Sequence, residues 1–136
     1  MPKQKDRVII DTNLWISFLL TGDFSKFDSI ITDNEITFII SAEFIDEIVE
    51  VIQRIKFRKY FKMDDVERLL LKIKLRADFI EVTSEIKKCI DPKDNFLLSL
   101  SQDGNASHLL TGDKDLLVLK RFGQTKILKI TEYLSC

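Results

Sequence analysis

Cysteine is scarce in this chain: Cys89 and Cys136 are the only two in 136 residues, far apart and in no metal-binding spacing. That excludes a small scaffold stapled by disulfides and points to a reducing compartment, the cytoplasm. Histidine is scarcer still. His108 stands alone, so no imidazole cluster is available to a zinc ion. Net charge is nearly absent, with 21 Lys and Arg against 22 Asp and Glu. A protein that coats nucleic acid through its global charge is thereby excluded, and any such binding needs a local patch. No apolar run approaches the roughly 18–20 residues of a membrane span. The first apolar stretch is broken by Asp11, Thr12 and Asn13, which argues against a signal peptide. Low-complexity segments are missing too. Thr-Gly-Asp occurs at 21–23 and at 111–113, but the flanks do not match and no repeat is inferred. What remains, 45% hydrophobic and 32% charged residues, is the composition of one soluble globular domain spanning residues 1–136.

The apolar pattern reads as alternating strands and helices. Val8-Ile9-Ile10 and Ile36–Ile40 are short β-branched runs suited to strands buried on both faces of a parallel sheet. Leu14–Leu20 and Phe24–Thr32 are long enough for two helices between them. Phe44, Ile45, Ile48, Val51, Ile52 and Ile55 form one stripe of an amphipathic helix over 42–55, with Ser41 as its N-cap. A second such helix is expected over 64–76. Phe79–Val82 is expected as the third strand. Asp91-Pro92 opens a helix closed by Gly104. Ser107–Leu110 is the fourth strand, a short helix runs from Asp113 to Leu119, and Lys126–Leu128 is the fifth strand. The order predicts an α/β/α sandwich around a parallel sheet.

Carboxylates fall at the ends of these strands. Asp11 follows the first, Asp113 lies three residues beyond the fourth, and Asp91 and Asp94 open the helix that leads into the fourth. Open parallel sheets bind ligands outside the carboxyl ends of their strands. Glu47, in the second turn of the helix after strand two, shares a polar flank with Glu43 and Glu50 and could lean over the same rim. Each acid also has a plainer role: Asp91 and Asp113 as caps, Asp94 at the positive end of a helix dipole, Glu47 on a solvated face. Asp11 is harder to explain so, because an unpaired charge beside a buried strand is costly. Several carboxylates held together repel unless a cation sits among them. Hard oxygen donors favour Mg²⁺ or Mn²⁺, and such a site suits a phosphodiester substrate.

Four segments in order, Asp11-Thr12-Asn13, Ser41-Ala-Glu-Phe-Ile-Asp-Glu47, Asp91-Pro-Lys-Asp94-Asn95 and Thr111-Gly-Asp113-Lys-Asp115, resemble the PIN-domain ribonucleases. They look closest to the branch of toxin components of prokaryotic toxin–antitoxin systems. The resemblance implies a sheet of order 3-2-1-4-5. It also implies a metal-dependent endoribonuclease with Asp11, Glu47, Asp94 and Asp113 as the acidic site for Mg²⁺ or Mn²⁺. Asp115 would be a further ligand, directly or through water. Asn13, Thr12, Thr111 and Asp91 would orient carboxylates or touch substrate. Partners implied are RNA, a small antitoxin protein and a second copy of the chain, with no membrane. Ala42 stands where this branch commonly has Pro, and Ile90 where an Arg often precedes Asp-Pro. The alternative is a non-catalytic PIN-like module binding RNA or protein, which the four acids disfavour. A dehalogenase-like phosphotransferase is disfavoured because position 13 is Asn and not Asp. A response-regulator receiver is disfavoured because the acid after strand one is alone.

Arg54, Lys56, Arg58, Lys59 and Lys62 put five positive charges within nine residues, interleaved with Phe57, Tyr60 and Phe61. This is the expected patch for RNA backbone or for a partner. Trp15 and Phe18, at helical spacing, are expected in the core.

Overall fold

Val8, Ile9 and Ile10 are all buried, as a strand covered on both faces requires. The computed structural model describes residues 6–21, 36–53, 67–68, 70–71 and 74–135. Along the chain these give β1 (Asp6–Ile10), α1 (Thr12–Thr21), β2 (Ile36–Ile40), α2 (Ala42–Gln53), β3 (Ala77–Phe79) and α3 (Pro92–Asp103). Then come β4 (His108–Leu110), α4 (Lys114–Leu117), β5 (Arg121–Phe122), β6 (Thr125–Leu128) and α5 (Ile130–Leu134). The sheet order is β3-β2-β1-β4-β6-β5. All neighbouring pairs are parallel except β5 with β6. The expected mostly parallel α/β architecture is therefore present. The order 3-2-1-4-5 holds across the five parallel strands, the last of which is β6. The extra strand is β5, a two-residue edge piece folded onto β6 through Gly123, whose φ of +57° places it in the left-handed region that glycine tolerates.

The core lies along β1, β2 and β4. Trp15 packs edge to face on Phe18 at 6.2 Å and on Phe38 at 5.8 Å, and all three are buried. Ser41 caps α2 as expected, its hydroxyl accepting the Phe44 N–H at 3.1 Å. The third strand is corrected: it is Ala77–Phe79, not Phe79–Val82. Its register is dictated by β2, with Phe38 opposite Ala77 and Ile40 opposite Phe79. The Ile80 N–H donates to the Ile40 carbonyl at 2.8 Å, and there β2 ends, so residues 81–82 have no strand to pair with. Apolarity misplaced the strand because Asp78 is held in it by an ion pair, 2.8 Å from the Arg7 guanidinium. Of the helix expected over 64–76, residues 67–68, 70–71 and 74–75 are helical. The helix expected over 24–32 lies outside the described residues.

Gly104 ends α3, but not by a left-handed turn: its φ is −89° and ψ 0°. Glycine is needed there for space. A Cβ would stand 2.5 Å from Ile39 Cγ2 and 3.0 Å from the Leu100 carbonyl oxygen. Gly104→Ala is therefore expected to cost about 1–3 kcal/mol, the range for overpacking a filled core. Denaturant unfolding checks this, and an unchanged midpoint would mean that α3 does not press on β2 as described.

Candidate metal centre

The first carboxylate is placed by the junction of strand and helix. The Asp11 N–H donates to the Leu110 carbonyl at 2.9 Å, which carries the β1–β4 ladder one residue beyond β1. The Asp11 carbonyl accepts the Leu14 N–H at 2.9 Å and so starts α1. The side chain, 7% exposed, is gripped from two sides. The Thr111 hydroxyl donates to Oδ2 at 2.8 Å, and the Asn13 N–H donates to Oδ1 at 3.2 Å. Thr111 Oγ1 in turn accepts the Asp113 N–H at 3.0 Å. One buried threonine thus ties the acid at the end of β1 to the backbone beyond β4. Burial pushes the Asp11 carboxyl upward in pKa. The two hydrogen bonds oppose that shift, and the charges of Asp113 and Glu47 reinforce it.

The capping roles foreseen for Asp91 and Asp113 are both real. Asp91 Oδ1 accepts the Lys93 N–H at 2.9 Å ahead of Pro92 and α3, and Asp113 Oδ1 accepts the Asp115 N–H at 2.8 Å ahead of α4. A cap of this kind engages one oxygen and leaves the carboxylate a second. Asp94, in the first turn of α3, is 4% exposed. Its Oδ2 is buried and has no hydrogen-bond partner among the described residues. Burial, then the charges of Asp113 and Asp91, push its pKa up to about 6.

Asp94, Asp113 and Asp115 each offer an oxygen within 4.8 Å of the others. Asp11 and Glu47 stand outside that tight group but line the same groove, a cavity of about 580 Å³. Glu47 is tethered there by the Thr12 hydroxyl, 3.4 Å from Oε2, and by the Lys93 ammonium, 3.5 Å from Oε1. Asn13 and Asp91 also line the groove, whose apolar side is Phe44, Phe96 and Leu97. Sequence reasoning overlooked Lys93, and it read Glu43 and Glu50 only as the polar flank of α2; all three line the groove. A signal for Lys93 was available. A cation in the first turn of a helix opposes the helix dipole and needs a reason. The basic segment Arg54, Lys56, Arg58, Lys59 and Lys62 lies outside the described residues.

A divalent cation fits these donors. An orphaned buried carboxylate oxygen is costly, and the neighbouring acids worsen the cost. An all-oxygen donor set suits Mg²⁺ or Mn²⁺. Asp94 and Asp113 would hold the ion, with Asp115 beside them and Asp11 at the adjacent strand end.

A mostly parallel sheet with an acidic cluster at the carboxyl ends of its central strands defines an α/β fold with a candidate metal site. The comparisons with known proteins make this specific. The family model described as PIN domain matches residues 7–115, and the chain belongs to that family. An uncharacterized protein of Methanocaldococcus jannaschii is 30% identical over 133 residues, covering 96% of this chain and 84% of the relative. No solved structure gives a significant match. PIN domains are in general metal-dependent nucleases, and the acidic group here is compatible with that chemistry. No helix among the described residues is long and apolar enough to cross a membrane.

Proposed function

We propose that the chain is a divalent-metal-dependent endoribonuclease that hydrolyses RNA phosphodiesters in the cytoplasm. The observation that carries this reading is the buried, unpartnered Asp94 oxygen within a group completed by Asp113 and Asp115. A bound Mg²⁺ or Mn²⁺ supplies Lewis acidity, lowering the pKa of water and neutralising charge that develops on phosphate oxygens. The chain's own part is orientation. Thr111 and the Asn13 N–H hold Asp11 in one rotamer at the rim, where its carboxylate is set to orient water or accept its proton. Thr12 positions Glu47 across the groove.

The test is cleavage of single-stranded RNA with Mg²⁺ or Mn²⁺, alone and with EDTA. Products with 5′-phosphate ends, lost in EDTA, are the expected result. RNA binding without cleavage in either metal would favour the non-catalytic module. On the sequence resemblance we further propose a toxin that homodimerises and is silenced by a small antitoxin occupying the acidic groove. Growth arrest on expression, relieved by a small protein encoded alongside, is the expected outcome. Harmless expression of a cleavage-active protein would remove the toxin role and leave the nuclease.

A further inference from the structure

We propose that Lys93 is the phosphate-binding residue of the groove, its ammonium leaving Glu47 to take a phosphate oxygen of bound RNA. This rests on the nuclease reading above. Among the described residues that line the groove are seven carboxylates and one cation, Lys93. A polyanion entering such a groove is repelled by the carboxylates except where a metal or an ammonium offsets them. The metal would neutralise the Asp94–Asp113 end. At the Glu47 end, Lys93 is the cation in place.

The fold does not explain this lysine. It occupies the first turn of α3, next to Pro92, where the positive end of the helix dipole disfavours a cation. Its side chain is 74% exposed, and its contact with Glu47 is 3.5 Å long. An exposed ion pair of that kind adds about 0–1 kcal/mol. It is strong enough to park the ammonium over the groove and weak enough to exchange for a phosphate. An ammonium on a four-carbon stem is also suited to following a phosphate as a point charge. Lys93, Asp94 and Asp113 line one groove, so a phosphate that Lys93 holds lies in the same cavity as the proposed metal ligands. Release of Glu47 in the same exchange frees that carboxylate for the site.

The experiment is steady-state RNA cleavage in Mn²⁺ by wild type, Lys93→Gln and Lys93→Arg, over salt from about 50 to 200 mM, with Mn²⁺ affinity measured separately by calorimetry. Lys93→Gln should raise KM by about 10-fold, the loss of one charge-assisted hydrogen bond, with kcat changed far less. Its salt dependence should flatten by about 0.7 in log–log slope, one phosphate contact on a single strand. Lys93→Arg should restore both, and Mn²⁺ affinity should not weaken in either variant. Lys93→Gln with unchanged KM and salt slope overturns the assignment and leaves Lys93 a counterion of Glu47, while the nuclease reading survives. Wild-type protein that binds Mn²⁺ but neither binds nor cleaves RNA overturns the nuclease reading, and this one with it.

Discussion

Asp94→Asn is expected to make the metal-free protein more stable at pH 7, by about 1–3 kcal/mol. The Asp94 pKa rises from an ordinary 3.8 to about 6 in the folded state, and each unit corresponds to about 1.4 kcal/mol. At pH 7 the carboxylate is ionised in both states, so folding bears the full cost of burying that charge beside Asp113 and Asp91. As pH falls through about 6 the folded state takes up the proton before the unfolded chain does. Stability therefore rises on acidification and levels off near the ordinary carboxylate value. His108 works the other way over the same window, because burial lowers its pKa in the folded state, so the Asp94 contribution is read as a difference between wild type and variant. From pH 7 to pH 5 the metal-free wild type should gain melting temperature relative to the Asn variant, since both share the opposing contributions of Asp11 and His108. Saturating Mn²⁺ should raise the wild-type melting temperature by mass action and act weakly on the variant. Thermal melts across pH, with EDTA and with Mn²⁺, check all three. Marked destabilisation by Asp94→Asn would instead make the residue a structural element of α3.

Asp11→Asn is expected to lower the rate of RNA cleavage by at least about 10²-fold, the scale for removing one preorganised electrostatic group. The fold should tolerate it. The new amide keeps an oxygen for the Asn13 N–H, and the Thr111 hydroxyl, now a donor to Asp11 at 2.8 Å, can turn to accept from the amide nitrogen. Melting temperature should thus change little while single-turnover cleavage collapses. Cleavage that persists in Asp11→Asn, or in EDTA, would mean that the chemistry sits elsewhere.

Much of this was legible in the sequence because the central strands are unambiguous. Val8–Ile10 and Ile36–Ile40 are apolar without interruption, and each gives way at once to Asp11 or Ser41, so their carboxyl ends could be placed to the residue. The caps followed from the same local chemistry, as Ser41, Asp91 and Asp113 show. What failed was set by partners rather than by local pattern. β3 takes its position from β2 and from the Arg7–Asp78 ion pair, and β5 exists only as a hairpin against β6. Gly104 closes α3 as expected, but the reason for glycine there, the lack of space against Ile39, is set by packing and not by the turn. In the site, the aspartates could be named from strand ends and motif spacing. The tether of Glu47 by Thr12 and Lys93 could not, because it joins α1, α2 and α3 across 35 and 46 positions of chain. Nothing in Asp91-Pro92-Lys93-Asp94 singles out Lys93 from strand ends or motif spacing, and it is α3 that brings it over the groove.

Diffraction from crystals grown with Mn²⁺, recorded for the anomalous signal of manganese, tests the central claim most directly. A single strong peak is expected between the Asp94 and Asp113 carboxylates, at a ligand distance of about 2 Å as for hard divalent cations, with the buried Asp94 Oδ2 among its ligands. Manganese bound only at Glu43 and Glu50, or no bound manganese at millimolar concentration with Asp94 Oδ2 still unpartnered, would contradict the account.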